Sequence, residues 1–490
     1  MNVSRRGFLA GSMCGVTAAG SGPSRAFDAR PQQVSQPPAA DLHYLTLRDA
    51  AAHIRARKLS PVELTRAILA RIERVEPQVR AFITLTGERA LDSARSAERE
   101  IMAGRYRGPF HGIPFAVKDT HYTRGIRTTC ASPVLADFVP AFDATVVTKL
   151  TNAGGVLVGK TNLPEFSSGS SGNGTNNPWN LSRPTGGSSA GNAAGLAAGM
   201  FFAASGGDTG ASIRGPAALC GVVGLKPTYG RVSGYGVMKL SWSVDHVGPM
   251  TRTVEDNALM LNVIAGRDPA DWAAADVPVP DYTRALRRGM RGLRVGIPTR
   301  ALIDGFHPDE LRAFDDALAV FRNLGARVVE VDFPPTLRVM GDAHNIIRIC
   351  EAASYHEPFL EAHPELYGPS NVRRDIEAGS LITAGQYLRA QKMRKVFLRQ
   401  MLALFEGFDV MVTPESTPAG EVTRAALNPH SPFNDTGFPG LAVPAGFSTS
   451  PQGLPLSIQI VGKPFDEETV YAAGYAYESE TRWHQRRPPL

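Results

Sequence analysis

Serine, lysine and glycine residues crowd into residues 154–229 in patterns that suit three different chemistries. The first pattern, residues 154–161, matches GxxxxGK[ST], a loop that wraps phosphate with backbone N–H groups and continues into a helix. Its variable positions here are Gly-Val-Leu-Val, which is strand-like, and Pro164 follows shortly afterwards. Because proline disfavours helix in the residue before it, the sequence disfavours a nucleotide site.

The second pattern, residues 187–191, matches GxSxG and would make Ser189 the nucleophile of a strand–turn–helix elbow. Such an elbow follows a hydrophobic central strand, whereas residues 180–186 are mostly polar and include Pro184. No downstream histidine stands in a distinctive glycine-rich turn. This pattern is therefore also disfavoured.

The third pattern covers the whole of residues 186–229. It reads Gly-Gly-Ser-Ser at 186–189, Asp-Thr-Gly-Ala-Ser-Ile-Arg at 208–214 and Cys-Gly-Val-Val-Gly-Leu-Lys-Pro-Thr at 220–228. A flexible linker would lack the apolar, strand-like material of its last part. The composition instead indicates an active site built largely from backbone.

In this combination the motifs resemble the amidase-signature family. Residues 111–119, His-Gly-Ile-Pro-Phe-Ala-Val-Lys-Asp, resemble the family's lysine segment, and residues 159–166 account for the phosphate-loop match. Residues 434–439 and 453–464 resemble its C-terminal segment. The resemblance spans roughly residues 45–488, nearly all of the predicted mature chain.

The resemblance implies a catalytic trio for amide cleavage: Ser212 as nucleophile, Ser188 as a bridging serine held by a cis peptide bond, and Lys118 as the base. An amide is a weak electrophile with a poor leaving group, so it needs an activated nucleophile, a stabilised oxyanion and a proton for the nitrogen. The two serines stand 24 positions apart, as the family pattern requires, which favours Ser188 over Ser189 for the bridge.

Lys118 can act as a base only when its neutral form is favoured, because a lysine normally titrates at about 10.4. Burial favours the neutral amine. The apolar, strand-like residues 113–117 end at Lys118 and predict that burial. On the residues alone, a surface ion pair between Lys118 and Asp119 remains an alternative.

The resemblance also implies an oxyanion hole formed by the backbone N–H groups of Thr209, Gly210, Ala211 and the nucleophile. The family usually has glycine where this chain has Ala211, and alanine disfavours a positive φ. Asp208 and Arg214 are expected to hold this loop, the alternative being a solvated ion pair.

The elements that must position these residues alternate between strands and helices, which predicts an α/β fold. Ser60, Pro61 and Glu63 form an N-terminal capping pattern before a helical run. The resemblance implies a single domain with a large mixed β-sheet flanked by helices. The expected strands are residues 113–117, 155–158, 293–297, 328–331 and 410–412, and the expected helical segments include 309–324 and 346–405.

The N-terminus predicts export. Arg5 and Arg6 precede a short apolar run and a polar, proline-containing stretch, an order that resembles a twin-arginine signal. We therefore expect a signal peptide at residues 1–29, a linker at 30–44, a catalytic domain at 45–490, and a periplasmic or secreted protein. A disordered tail that carries two arginines is the alternative.

Composition limits the partners. The 490 residues carry a net charge of +6 without a basic run interleaved with aromatics, so we expect no nucleic-acid partner. The apolar run near the N-terminus is too short to span a bilayer, which predicts no stable membrane association. The four cysteines, Cys14, Cys130, Cys220 and Cys350, match neither a zinc site nor a disulfide framework. We expect no metal or cofactor, and a homo-oligomer is compatible with the sequence.

These observations predict an amidase that hydrolyses a carboxylic amide, such as an aryl amide or a carbamate, through a seryl acyl-enzyme at Ser212. The pocket is expected to form from residues 346–405 and 170–178. One alternative is the amidase subunit of a tRNA-dependent glutamine amidotransferase, with partner chains and tRNA. Another is a non-catalytic binding protein on the same scaffold.

Overall fold

The structure is a computed structural model that describes residues 39–169, 173–367, 370–416, 418–419, 421 and 423–490. The signal predicted for residues 1–29 lies outside the described residues.

Thirteen strands are present among the described residues, and five of them match the strand-like runs of the sequence. The strands are β1 (Phe82–Leu85), β2 (Pro114–Lys118), β3 (Val156–Thr161), β4 (Asn176–Asn177), β5 (Asn180–Pro184), β6 (Ala203–Asp208), β7 (Val223–Lys226), β8 (His246–Thr251), β9 (Arg294–Pro298), β10 (Arg327–Val331), β11 (Val410–Pro414), β12 (Gly440–Thr449) and β13 (Gln452–Gly462).

Eleven of these strands form one mixed sheet in the order β1-β3-β2-β6-β8-β7-β12-β13-β11-β9-β10. Strand β2 runs parallel to β3 and β6, and β9 runs parallel to β10 and β11. The strands between these two parallel groups pair antiparallel. Strands β4 and β5 form a separate hairpin. The predicted mixed sheet is confirmed.

Helices flank this sheet. They are α1 (Leu47–Arg55), α2 (Pro61–Val79), α3 (Gly87–Met102), α4 (Thr145–Asn152), α5 (Ala190–Ala197), α6 (Arg214–Cys220), α7 (Val254–Ile264), α8 (Tyr282–Ala285), α9 (Arg300–Ile303), α10 (Pro308–Asn323), α11 (Leu337–Ala362), α12 (Asn371–Ser380), α13 (Ala384–Leu404), α14 (Ser431–Asp435) and α15 (Glu467–Thr481). Short 3₁₀ helices lie at Ala39–Tyr44, Pro133–Leu135, Glu165–Ser167, Leu286–Arg288 and Trp483–Gln485.

The middle of the sheet is covered on both faces. Successive residues of a strand point to opposite faces, yet the last nine residues of β13 are all buried. Helices α6 and α10 contact β13, and α15 contacts both β12 and β13. The hydrophobic core therefore lies in two layers, one on each side of the sheet.

Helix α2 begins where its capping residues predict. The Ser60 side chain accepts the N–H groups of Val62 and Glu63, and Pro61 is the first helical residue. Helices α10 to α13 likewise confirm the helical character of residues 309–324 and 346–405.

The linker predicted for residues 30–44 differs from the structure at its end. Residues 39–44 form a 3₁₀ helix. The Tyr44 hydroxyl donates to Ala197 O at 3.3 Å and accepts from Arg71 at 3.3 Å. These polar contacts attach the segment to the folded body. Across the described chain, every helix falls short of the length and apolarity needed to span a membrane.

Substitution of a central strand residue should cost much of the stability. Ile460 in β13 is fully buried between β12 and β11. We expect Ile460→Ala to lower the free energy of unfolding by about 2–5 kcal/mol in a denaturant titration, since it leaves a cavity in a close-packed core.

A matched control lies in an edge strand, where Val329 of β10 is 44% exposed. Val329→Ala should change stability by less than about 0.5 kcal/mol. Equal losses from the two variants would contradict the assignment of the core to the middle of the sheet.

Candidate active site

The base predicted from the sequence lies at the carboxyl end of an interior strand. All five residues of β2 are buried, and β2 lies between β3 and β6. Lys118, its last residue, is only 1% exposed. Its Nζ lies 2.6 Å from Ser188 Oγ, within hydrogen-bond distance. The predicted burial of Lys118 is confirmed, and the structure brings Lys118 and Ser188 together.

Burial lowers the pKa of Lys118 to about 7, because an ammonium group loses its hydration there. The nearby carboxyl groups of Asp245 and Asp208 oppose this effect and raise the pKa of Lys118. A substantial fraction of the amine is therefore neutral near pH 7. A neutral amine can accept the proton of a serine hydroxyl.

The alternative ion pair between Lys118 and Asp119 is wrong, because Asp119 pairs with a different lysine. Lys160 Nζ lies 3.2 Å from Asp119 Oδ1, and both side chains are fully buried. Lys160 Nζ also donates to His121 O and to Thr128 Oγ1, each at 2.7 Å. Most of the phosphate-loop match thus lies in strand β3, and its lysine, Lys160, has a structural role.

The two adjacent serines have different roles in the structure. The Gly187–Ser188 peptide bond is cis, as the family resemblance implies. The Ser189 hydroxyl faces the other way and donates to Gly207 O at 3.3 Å. Ser189 is fully buried. Its hydroxyl is thus engaged by strand β6, which leaves Ser188 as the serine that contacts Lys118.

Ser212 lies in the loop between β6 and α6, beside the Ser188 segment. Its carbonyl oxygen accepts the N–H of Ser189 at 3.1 Å, which ties the two segments together. Ser212 is partly exposed and lines a cavity of about 840 Å³ together with Gly187, Thr209 and Gly210. The nucleophile predicted from the sequence is therefore open to a substrate, whereas Ser189 is not.

A buried ion pair holds the loop that carries Ser212. Arg214 and Asp208 are fully buried and 3.0 Å apart, and Asp208 also accepts from the Ile213 N–H and from Asn434. Burial would raise the pKa of the Asp208 carboxyl, but Arg214 and these donors bring it below its usual value. The predicted loop-holding role is confirmed, and the solvated-pair alternative is wrong.

The predicted oxyanion loop departs from expectation at Ala211. Its N–H donates to Asp208 Oδ1 at 3.0 Å, so this N–H is already engaged by a carboxylate. The Ala211 φ is 154°, a value that glycine adopts more readily than alanine. Thr209, Gly210, Ala211 and Ser212 all line the cavity. The N–H groups of Thr209, Gly210 and Ser212 stay the predicted donors, whereas that of Ala211 holds the loop.

The opposite wall of the cavity comes from helices α11 and α12. His344 Nδ1 and Asp435 Oδ1 lie 2.8 Å apart, and Arg348 forms an ion pair with Asp375, which also accepts from Ser168. Residues 346–405, which the sequence predicts to shape the pocket, contribute Arg348 and Asp375 to this wall, whereas His344 lies just before that range. The polar pair at positions 344 and 348, one helical turn apart, is the signal that could have identified this face.

The described side chains include no group of three His, Cys, Asp or Glu placed to hold a metal ion. The three cysteines in the described residues are unpaired thiols.

Comparison with known proteins agrees with this geometry. The family model described as Amidase matches residues 63–471, so the chain belongs to the amidase family. The chain is 41% identical to the A subunit of glutamyl-tRNA(Gln) amidotransferase from Geobacter sp. (strain M21), covering 91% of this chain and 99% of that protein.

Two solved structures are also similar to this chain. Native peptide amidase from Stenotrophomonas maltophilia has a TM-score of 0.81 at 33% identity and covers 92% of this chain and 99% of its own. The A subunit of glutamyl-tRNA(Gln) amidotransferase from Thermotoga maritima has a TM-score of 0.73 at 33% identity and covers 90% and 95%.

The unusual backbone at Ala211 predicts a stabilising substitution. We expect Ala211→Gly to raise the free energy of unfolding by about 1 kcal/mol, because glycine adopts this φ without a Cβ penalty. Thermal and denaturant unfolding measure the effect. Ala193→Gly in helix α5 is the control and should lower stability by about 1 kcal/mol. A loss from both variants would show that Ala211 is unstrained.

Proposed function

We propose that this protein hydrolyses a carboxylic amide through an acyl-enzyme at Ser212, with Ser188 as bridge and Lys118 as base. The observation that carries the proposal is the buried amine of Lys118, 2.6 Å from the Oγ of a serine that follows a cis peptide bond. Ser212 lines the adjacent cavity and is the exposed end of this relay.

In the first half-reaction, neutral Lys118 accepts the proton of Ser188 as Ser188 accepts the proton of Ser212. The Ser212 oxygen forms a bond to the amide carbonyl carbon, and the carbonyl oxygen becomes an oxyanion. The N–H groups of Thr209, Gly210 and Ser212 are the proposed donors to this oxyanion. The relay then runs in reverse, and the C–N bond breaks as the nitrogen receives the proton.

In the second half-reaction, water replaces the amine. Water loses a proton to the relay and attacks the acyl carbon, and the bond to Ser212 breaks as its oxygen regains a proton. The products are a carboxylic acid and an amine or ammonia. Each proton taken from Ser212 or water returns, so the relay uses no cofactor.

The relatives of this chain support a second candidate function. The chain is 41–43% identical to the A subunits of several glutamyl-tRNA(Gln) amidotransferases over nearly their whole length. That similarity supports a function of this chain as a subunit of such an amidotransferase, with partner chains and tRNA. The same Ser212 chemistry would then release the amide nitrogen for transfer.

Two observations favour a stand-alone amidase. The similarity to peptide amidase is at a TM-score of 0.81, against 0.73 for the amidotransferase component. The twin-arginine pattern at Arg5 and Arg6 supports export, away from tRNA. The isolated chain should therefore hydrolyse anilides, primary amides or carbamates without partners. Activity toward glutamine that appears only with amidotransferase partner chains would decide for the second candidate function.

Labelling with a fluorophosphonate should identify the nucleophile. Intact-mass measurement and peptide mapping should show one label, on Ser212, and none in Ser212→Ala. Ser189→Ala is the matched neighbour and should still be labelled, because the Ser189 hydroxyl bonds to backbone of β6. A label on Ser189 would rule out the proposed relay in favour of the GxSxG pattern. No label on folded protein would leave a non-catalytic binding protein on this scaffold.

Activity should depend on pH through the base. Lys118 must be neutral, and its pKa is about 7, so kcat/KM should fall about tenfold per pH unit below that value and level off above it. The measurement is a pH profile with circular dichroism at each pH as the control for folding. A profile that rises toward acid pH, with the fold intact, would contradict a lysine base.

A further inference from the structure

Asp245 lies behind the catalytic relay, just before strand β8. The β6–β8 pairing places His246 opposite Asp208, which is the last residue before the oxyanion loop. Asp245 therefore reaches the point where that loop leaves the sheet. Its carboxylate is partly buried there and lies outside the relay described above.

The Asp245 carboxylate holds the first residue of the oxyanion loop. Its Oδ1 accepts the hydroxyl of Thr209 at 2.7 Å. Its Oδ2 accepts the N–H groups of Leu240 at 2.9 Å and Ser241 at 3.0 Å. The two backbone N–H groups hold the carboxylate in place. The carboxylate in turn orients the Thr209 hydroxyl. The Thr209 N–H is one of the proposed oxyanion donors.

The same carboxylate faces the base. Asp245 and Lys118 line one small cavity of about 20 Å³, together with Thr120 and His246. That volume suffices for one water molecule. Of the charged groups that act on Lys118, Asp245 is the strongest, and it raises the pKa of the amine against the effect of burial.

The other charged or titratable groups near Lys118 are either held in ion pairs or neutral. Asp208 also acts on Lys118 but is paired with Arg214, and burial raises the pKa of the Cys130 thiol, which keeps it neutral. Lys160 is paired with Asp119.

Neither His121 nor Lys239 supplies the negative charge that acts on the Lys118 amine. His121 is neutral because burial, Lys160 and Lys118 lower its pKa to about 3. Burial raises the pKa of the Asp245 carboxyl above its usual value, and the charge of Lys239 and the hydrogen bonds from Thr209 and the backbone oppose this effect. Asp245 takes part in no ion pair among the described residues. In its ionised form the Asp245 carboxylate therefore acts on Lys118 without being neutralised in a direct ion pair.

We propose that Asp245 is a positioning residue that couples the two halves of the catalytic machinery: its charge stabilises the protonated form of Lys118, and its hydrogen bond fixes Thr209 in the oxyanion loop. This inference rests on the proposed function. Proton uptake by Lys118 and charge development on the oxyanion occur in one step. A carboxylate that acts electrostatically on the base and hydrogen-bonds the loop therefore makes the base stronger and keeps the donor in place.

Asp245→Asn separates the charge from the shape. The amide oxygen still accepts the two backbone N–H groups, and the amide NH₂ can donate to the Thr209 hydroxyl, which is able to accept. What the variant loses is one negative charge. The pKa of Lys118 should then fall, because the opposite charge that favoured the ammonium form is gone.

The readout is the rate of fluorophosphonate labelling of Ser212 against pH, which needs no identified substrate. In the unchanged protein the labelling rate should fall below about pH 7, and this fall is the acidic limb of the profile. Asp245→Asn should shift the acidic limb to lower pH by about one unit. Asp268→Asn is the matched control, because Asp268 also accepts hydroxyl and backbone N–H donors. Its limb should stay near pH 7.

An unmoved limb in folded Asp245→Asn, with the limb present in the unchanged protein, would overturn the inference and leave the proposed function standing. Absence of labelling in the unchanged protein would instead overturn the proposed function.

A second pair of variants tests the hydrogen bond between Asp245 and Thr209. This pair also tests the inference if Asp245→Asn does not fold. Thr209→Val removes the hydroxyl but leaves Asp245 charged, so the labelling rate should fall at least tenfold at every pH without a shift of the limb. Thr209→Ser restores the hydroxyl and should restore the rate. Equal rates for the valine and serine variants would overturn the role of the Asp245–Thr209 hydrogen bond.

Discussion

The active site depends on one constraint, which is the burial of the Lys118 amine at the end of an interior strand. A buried ammonium is costly unless it is paired, and Lys118 has no carboxylate in direct contact among the described residues. Its pKa therefore falls to about 7, which makes it a base. The strand neighbours β3 and β6 produce this environment by covering β2 on both edges.

Two buried cations near the relay differ from Lys118, because each is held in an ion pair. Lys160 is held by Asp119, and Arg214 is held by Asp208, each in a fully buried pair. These pairs fix backbone: the first secures the segment after β2, and the second secures the loop that presents Ser212. The structural cations and the reactive amine thus lie in one region but differ in their partners. Each structural cation contacts a carboxylate, whereas the Lys118 amine contacts a neutral serine.

Much of this can be predicted from sequence, because the signals are local. The capped start of α2, the strand that ends at Lys118 and the glycine-rich serine segments all follow from adjacent residues. Other features arise only when distant residues meet. Asp119 pairs with Lys160, 41 positions away, rather than with Lys118, and the Ala211 N–H turns inward to Asp208. The short strand β6, rich in glycine and alanine, lacks the branched residues that mark strands in sequence. Tyr44, in the segment predicted as linker, donates to Ala197 O, 153 positions away.

The most direct test is the pKa of Lys118 itself. The chain can be labelled with ¹³C and ¹⁵N in its lysine side chains, and the Lys118 signal can be assigned by its loss in Lys118→Met. Its chemical shift is then followed from pH 5 to pH 11, at about one-unit steps or finer. We predict a titration midpoint near 7. A midpoint near the ordinary value of a solvated lysine, about 10.4, would contradict a lysine base, because Lys118 would then be charged at neutral pH and unable to accept a proton from Ser188.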